Sequence, residues 1–474
     1  MNLKENSTSH PPSRFIHCLI VSSFIISGIY FLLSLGLIPD AVHHCHYRYS
    51  ANSVQNLASP TSLEHIVFGI AGSGKTWSRR KEYVSLWWRP GIMKGCVFLE
   101  QMPPKNATSP SENEDHVSDL PPICISADTS GIPYDKKRVS SSTVRVVRVV
   151  SETVALNYDN NVRWFVFGDD DTFFFPDNLV KTLQKYDHGL WYYIGASSEF
   201  FQANKGNSFE MAFGGGGFAL SYPLAKVLAK VLDSCQKRFH WFPTSDKRLY
   251  ACLTELGISL THEPGFHQVD VKGDIFGLLS AHAIRPLVTL HHMDAVDPIF
   301  PNMTTLEAVQ HLMSAAKVDS ERILQQTVCY DKSFSSTISV SWGYAIQWVG
   351  SNVFLSDIVR APATWDQRRT VNFDVQQFYH PDPCSRPTVF FFDSVSSNGD
   401  KTTSIYKIMY RNCTRLNKID EIRVFSKKLD LSFKQAPRRQ CCDVFRSSAD
   451  ATVIDVGLKE CGAEETIQMQ PVRF

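Results

Sequence analysis

The residues best equipped for chemistry stand at Gly168-Asp169-Asp170-Asp171, where three successive carboxylates follow the apolar run Val162–Phe167. Carboxylates at the end of a buried strand are unfavourable unless a positive group neutralises them. A hard divalent cation, Mn²⁺ or Mg²⁺, answers that need: oxygen ligands suit it, and it then bridges the phosphates of a leaving nucleotide. The plain alternative is a solvated acidic turn capping a helix near Asp177–Tyr186.

Gly69-Ile-Ala-Gly-Ser-Gly-Lys75-Thr76 matches the phosphate-binding P-loop pattern between a strand and a helix. In that reading backbone N–H groups would cradle phosphates, with Lys75 reaching forward and the Thr76 hydroxyl on Mg²⁺. In the other reading the glycines serve a strand-to-helix turn and Ser73–Thr76 cap the helix.

Three further segments carry candidates. Phe213-Gly-Gly-Gly-Gly-Phe218 lets backbone approach a bound donor or acceptor closely, with Gly215 and Gly216 at its centre, or is a flexible loop. Phe239–Arg248 places aromatic residues just before Asp246, which is either a catalytic carboxylate or a helix N-cap. Leu287–Asp294 is a strand ending in His291-His292, candidate metal ligands.

The elements that must position these residues alternate strand and helix. Leu63–Ile70 and Cys96–Glu100 read as strands, Thr76–Trp88 and Val144–Leu156 as helices, and residues 101–122 as a loop. That alternation predicts an α/β fold, a mostly parallel sheet with helices on both faces, over residues 63–318. Beyond it, residues 319–474 read as a β-rich lobe, with strands at Thr337–Val349, Thr388–Phe392 and Ser404–Tyr410. Six of the cysteines fall there, which suggests disulfide stapling.

Composition narrows the class. The chain has 474 residues, 43% of them apolar, enough for a sizeable core. A formal net charge of +1 gives no basis for binding nucleic acid. Twelve cysteines without a C-x-x-C pair exclude zinc-ribbon and thioredoxin-like motifs.

Phe15–Ile38 contains no Asp, Glu, Lys or Arg, and a helix of that length spans a hydrocarbon core of roughly 30 Å. No Ala-x-Ala pattern follows, so an uncleaved anchor is expected, after a cytosolic tail at 1–14 and before a stem at 39–62. The remainder is then lumenal, in keeping with sequons at Asn106, Asn302 and Asn412.

From about Leu63 to Met303 the chain resembles the fringe-related proteins of glycosyltransferase family 31, and within them a little-characterised plant branch. The segments that carry the likeness include ISADTSGIPYD, RWFVFGDDDTFFFPDNL, MAFGGGGFALSYPLA and LHHMDAVDPIFPNM. The resemblance implies a GT-A fold, Mn²⁺, a UDP-sugar donor and inverting, β-1,3-type transfer to a glycan or glycoside hydroxyl in the Golgi lumen.

By the same resemblance Asp169–Asp171 match the metal-binding triplet, with Asp171 the direct ligand. Asp246, six residues before Cys252, matches the acceptor base. His292-Met-Asp matches the tripeptide that supplies the histidine ligand, with His291 and His267 in reserve. Lys247 departs from the branch, which carries a second carboxylate there and a different turn at Gly72–Thr76. Two rival readings stand beside this one: a catalytically inactive scaffold of the same fold, and a P-loop NTPase acting through Gly69–Thr76.

Overall fold

The computed structural model describes residue 27 and residues 59–103, 119–158, 161–331, 335–366, 375–376, 382, 386–409, 419–431, 438–446 and 450–469. The chain divides into two units, Met1–Pro60 and Thr61–Phe474. Of the first unit only Ser27, Ser59 and Pro60 are described, so the anchor expected at 15–38 and most of the stem lie outside the described residues. Among the described residues no helix is long and apolar enough to cross a membrane.

The second unit begins with a seven-stranded sheet. Its strands are β1 (Ile66–Ala71), β2 (Lys94–Leu99), β3 (Ile123–Ile125), β4 (Trp164–Asp169), β6 (Tyr193–Gly195), β7 (Phe218–Ser221) and β8 (Leu260–His262). A two-stranded ribbon joins β5 (Phe173–Phe174) to β9 (Thr289–Leu290). The large sheet runs β3-β2-β1-β4-β7-β6-β8, with β7 antiparallel to both neighbours and every other pairing parallel.

Alternation along the strands divides two cores. Phe68, Ile70, Trp164 and Val166 face one side, and Val67, Phe165 and Phe167 face the other. Helix α1 (Trp77–Ser85) and helix α3 (Pro176–Leu183) supply Val84, Leu179 and Leu183 to the first side. The second side is covered by α2 (Ser141–Ala155), α4 (Tyr222–Arg238) and α5 (Ser245–Glu255). Val144, Val147, Val150 and Val154 form the helical stripe of α2 and are all buried. Each such side chain contributes roughly 1.5–3 kcal/mol on burial.

After α6 (Thr305–Val318) comes an eight-stranded sheet of β10 (Gln326–Asp331), β11 (Ser336–Ser341), β12 (Ala345–Val349), β15 (Thr388–Asn398), β16 (Lys401–Ile408), β17 (Glu421–Lys427), β18 (Cys441–Arg446) and β19 (Val453–Lys459). Between them lies a two-stranded pairing of β13 (Ala361–Pro362) with β14 (Val375–Gln376). The single strand expected at Thr337–Val349 is a hairpin, reversed at Gly343, whose φ of 75° suits glycine. The sheet's inner face shares one core with the first sheet, through Leu312, Ile323, Leu324, Trp342 and Tyr344.

Disulfides join Cys96 to Cys124, Cys235 to Cys252, Cys329 to Cys442 and Cys441 to Cys461. Cys384, Cys413 and the sequons at Asn106 and Asn412 lie outside the described residues, whereas Asn302 is exposed.

Candidate active site and metal centre

The topology brings the separate sequence candidates to one edge. Strand β4 ends at Asp169, opposite Ala71 of β1, so the acidic turn lies beside the Gly72–Thr76 turn. Because β7 is antiparallel to β4, Gly214–Gly217 enter from the same edge at which the acidic turn leaves. The pairing of Phe173 with Leu290 carries His291 back to that turn.

Asp169, Asp171 and His291 each present a ligand atom, all within 4.8 Å of one another. His291 Nε2 lies 3.2 Å from Asp171 Oδ1 and 3.7 Å from Asp169 Oδ2. Its Nδ1 stands 3.3 Å from the Gln268 carbonyl, which can only accept a hydrogen bond, so Nδ1–H donates there and Nε2 is the nitrogen aimed at the carboxylates. This donor set fits a divalent cation: two carboxylates and one imidazole with its tautomer already fixed.

His292, which the resemblance offered as the ligand, is placed differently. Its backbone is left-handed at φ 54°, and its Nδ1 pairs with Asp270 Oδ1 at 3.0 Å. The reserve His267 bonds Glu199 and His282.

The electrostatics match the geometry. Withdrawal from bulk water and the charges of Asp171, Asp246 and Asp170 push Asp169 well above the usual carboxylate range. Burial would also raise Asp171, but its neighbours His291 and Arg80 hold it below its ordinary value. Arg80 bridges Asp170 at 2.7 Å and Asp171 at 2.8 Å.

Asp170, matched by the resemblance to the metal-binding triplet, turns inward instead. Besides Arg80, its carboxylate accepts from the Thr76 hydroxyl at 3.3 Å and the Ser73 amide at 3.4 Å. Glu100 accepts from the Gly74 amide at 3.2 Å and the Ser73 hydroxyl at 3.0 Å, while Lys75 is exposed. The Ser73 and Gly74 amides and the Thr76 hydroxyl, which a P-loop would turn to phosphate, are thus engaged by carboxylates of the same chain, and the turn positions Asp170.

The glycine run packs against the centre. A Cβ on Gly215 would stand 2.1 Å from His291 Cε1, and one on Gly216 would stand 3.1 Å from the Gln268 amide nitrogen. Gly216 donates to Gln268 Oε1 at 2.5 Å, and the Gly215 carbonyl accepts from Thr172 Oγ1 at 2.7 Å.

Thr244 caps α5, leaving Asp246 in its first turn as something other than the cap. Asp246 Oδ1 accepts the Gly214 amide at 3.0 Å. Burial and the charge of Asp270 raise its pKa to about 6, against the lowering pull of the Gly214 amide and His292. Lys247 points away, its ammonium on the Gly206 carbonyl at 3.3 Å and 5.3 Å from the Phe242 ring centre. Asp169, Gly214 and Asp246 line one small recess of about 30 Å³, closed on its inner side by Val147, Val150 and Phe167.

Sequence reasoning passed over Gln268, Asp270 and Glu199. Only the polar run His267-Gln-Val-Asp270 after Pro264-Gly265 offered a signal.

Residues 203–442 match the model of a family described as a protein of unknown function, DUF604. A mouse protein (Mus musculus) named beta-1,3-glucosyltransferase is 28% identical over 196 residues, 40% of this chain and 37% of that protein. The chain thus spans little more than a third of that relative. A solved galactosyltransferase, LgtC, in complex with donor and acceptor sugar analogues superposes with a TM-score of 0.32 at 12% identity, over 52% of this chain and 92% of its own. A glycosyltransferase involved in glycosylation of the major capsid of PBCV-1 gives 0.27 at 12% identity, over 52% and 97%.

Proposed function

We propose, from the premise that the chain belongs to the DUF604 family, that it is a metal-dependent glycosyltransferase of GT-A type using a UDP-sugar donor. The observation that carries this reading is the cluster of Asp169, Asp171 and His291 ligand atoms at the sheet edge where the Gly214 amide holds Asp246. The mouse relative's name supports a β-1,3-glucosyl product. The disulfides support an oxidising compartment, and with it a lumenal catalytic unit behind an anchor at 15–38 in the Golgi membrane.

Asp169, Asp171 and His291 hold the cation, Mn²⁺ or Mg²⁺. When bound, it offsets the charge that develops on the departing diphosphate. Asp246, oriented by the Gly214 amide, takes the proton of the acceptor hydroxyl as that oxygen attacks the anomeric carbon. Its raised pKa keeps it basic enough for the transfer while leaving it ionised at neutral pH. Gly215 and Gly216, lacking side chains, let the backbone pass against His291 and Gln268 without displacing them. Arg80 and the Ser73–Thr76 turn hold Asp170, and through Arg80 they also fix Asp171.

Purified protein offered a panel of UDP-sugars with Mn²⁺ should hydrolyse one of them slowly without acceptor, and a chelator should abolish the reaction. UDP–Mn²⁺ binding without hydrolysis or transfer of any panel sugar would point to the inactive scaffold instead. No binding of UDP with any divalent ion would end the enzyme reading.

A further inference from the structure

Beside the carboxylate cluster, the loop 264–272 after β8 carries titratable side chains to which the mechanism above gives no task. His267 Nδ1 lies 2.8 Å from Glu199 Oε1, and its Nε2 lies 2.9 Å from His282 Nε2. His282 Nδ1 lies 2.7 Å from the Ala283 carbonyl. Both rings are buried. The protons follow from the partners: a carbonyl only accepts, so His282 carries its hydrogen on Nδ1 and offers a lone pair at Nε2. His267 must therefore donate from Nε2, which leaves one further proton shared between its Nδ1 and Glu199. Burial, and then the neighbouring His267, lower the His282 pKa to about 3, in keeping with a neutral ring.

The other oxygen of Glu199 accepts the Val269 amide at 2.8 Å. Val269 is fully buried and left-handed, at φ 52°. A β-branched residue there is a genuine outlier that persists only where its surroundings impose it. The residue before it, Gln268, turns its carbonyl to His291 Nδ1, and the residue after it, Asp270, binds His292 Nδ1. Ser198, next to Glu199, donates its hydroxyl to Asp270 Oδ2 at 2.6 Å and is itself clamped by Asn204. Two adjacent residues thus grip the strained turn from both sides.

We propose that Glu199, braced by the His267–His282 pair, is a positioning residue for the metal centre. It holds Val269 left-handed and thereby aims the Gln268 carbonyl so that His291 presents Nε2 to the cation. The inference rests on the metal-centre reading above. Outer partners of a metal-bound histidine commonly set affinity by 10–100-fold.

The test is calorimetric titration of the full protein with Mn²⁺ alone, with circular dichroism confirming the fold of each variant. Glu199→Ala, which removes the acceptor of the Val269 amide, should weaken Mn²⁺ binding 10–100-fold. Adding Val269→Gly should restore most of it, because glycine adopts the left-handed backbone without being held there. A general loss of packing would not be rescued by a second, cavity-forming change, so recovery separates positioning from mere structural support. Unchanged Mn²⁺ affinity in Glu199→Ala, or no recovery in the double variant, overturns the positioning role alone. A wild type that binds neither Mn²⁺ nor UDP overturns the metal-centre reading and this role with it.

Discussion

Gly215 lies against the imidazole of His291 so closely that a Cβ would stand 2.1 Å from Cε1 and 2.5 Å from Nε2. The ring is buried and its Nδ1 is tied to Gln268, so it has little room to yield. Gly215→Ala should therefore displace His291 and weaken Mn²⁺ binding by about 10–100-fold, the range seen when a ligand loses its orientation. Calorimetry on a variant with unchanged circular dichroism checks this; wild-type affinity would show that the glycine run only fills space.

The two adjacent histidines should behave differently. His291 Nε2 faces Asp169 and Asp171, whereas His292 is held by Asp270. His291→Gln should lower Mn²⁺ affinity by roughly 100-fold or more, and His292→Gln by no more than the 10-fold end of the range for an outer partner. The opposite order would place the cation on His292.

Much of this arrangement was legible in the sequence, and the limits have physical causes. The apolar run ending in Asp169–Asp171 reads as a strand with a functional end because carboxylates at the end of a buried strand are costly unless a positive group meets them. The choice between His291 and His292 was not legible. It depends on a left-handed turn at His292 and on a carbonyl presented by Gln268, 23 positions earlier. Glu199 gave no local signal either, since its partners at 267 and 269 meet it only in the fold. The hairpin within Thr337–Val349 was hidden because apolar residues continue straight through the reversal at Trp342-Gly-Tyr344, leaving Gly343 as the one turn residue to mark it.

The pH dependence follows from Asp246. As a base it must be ionised, so kcat/KM should rise with pH to a plateau, with a midpoint near 6. Asp246→Asn keeps the Gly214 contact but not the base, and should lower turnover by about 10²–10⁴-fold with UDP–Mn²⁺ binding intact. Stability runs the other way. A folded pKa above the unfolded value favours the fold fully only below about 3.9, and that advantage is lost as pH rises through 6. Asp246→Asn should then raise the melting temperature at pH 7.5, the gain shrinking towards zero near pH 4.

Lys75 tests the P-loop match. It is exposed, and the neighbouring amides serve Glu100 and Asp170. Lys75→Ala should change stability by less than about 0.5 kcal/mol, as for an isolated surface position. UDP–Mn²⁺ affinity should stay within about twofold. Loss of ATP binding on this change, where wild type binds ATP, would restore the P-loop reading.

Arg80 offers the sharpest test of the electrostatics, because it and the cation draw on the same carboxylates. Its guanidinium bridges Asp170 and Asp171, whose side chains are 2% and 5% exposed, while its own is 24% exposed. Removing one partner of a buried ion pair leaves uncompensated charge and costs about 3–5 kcal/mol; partial exposure of Arg80 puts the expectation at the lower end. Arg80→Ala should therefore melt well below wild type in the presence of chelator. Mn²⁺ should then recover part of the loss, since a ligand present at 100 times its dissociation constant stabilises the folded state by about 2.7 kcal/mol. The recovery should exceed the shift that Mn²⁺ produces in wild type, where Asp171 already has a cationic partner. Equal shifts in the two proteins, measured by thermal melting across a Mn²⁺ series, would mean that Arg80 and the metal do not share Asp171.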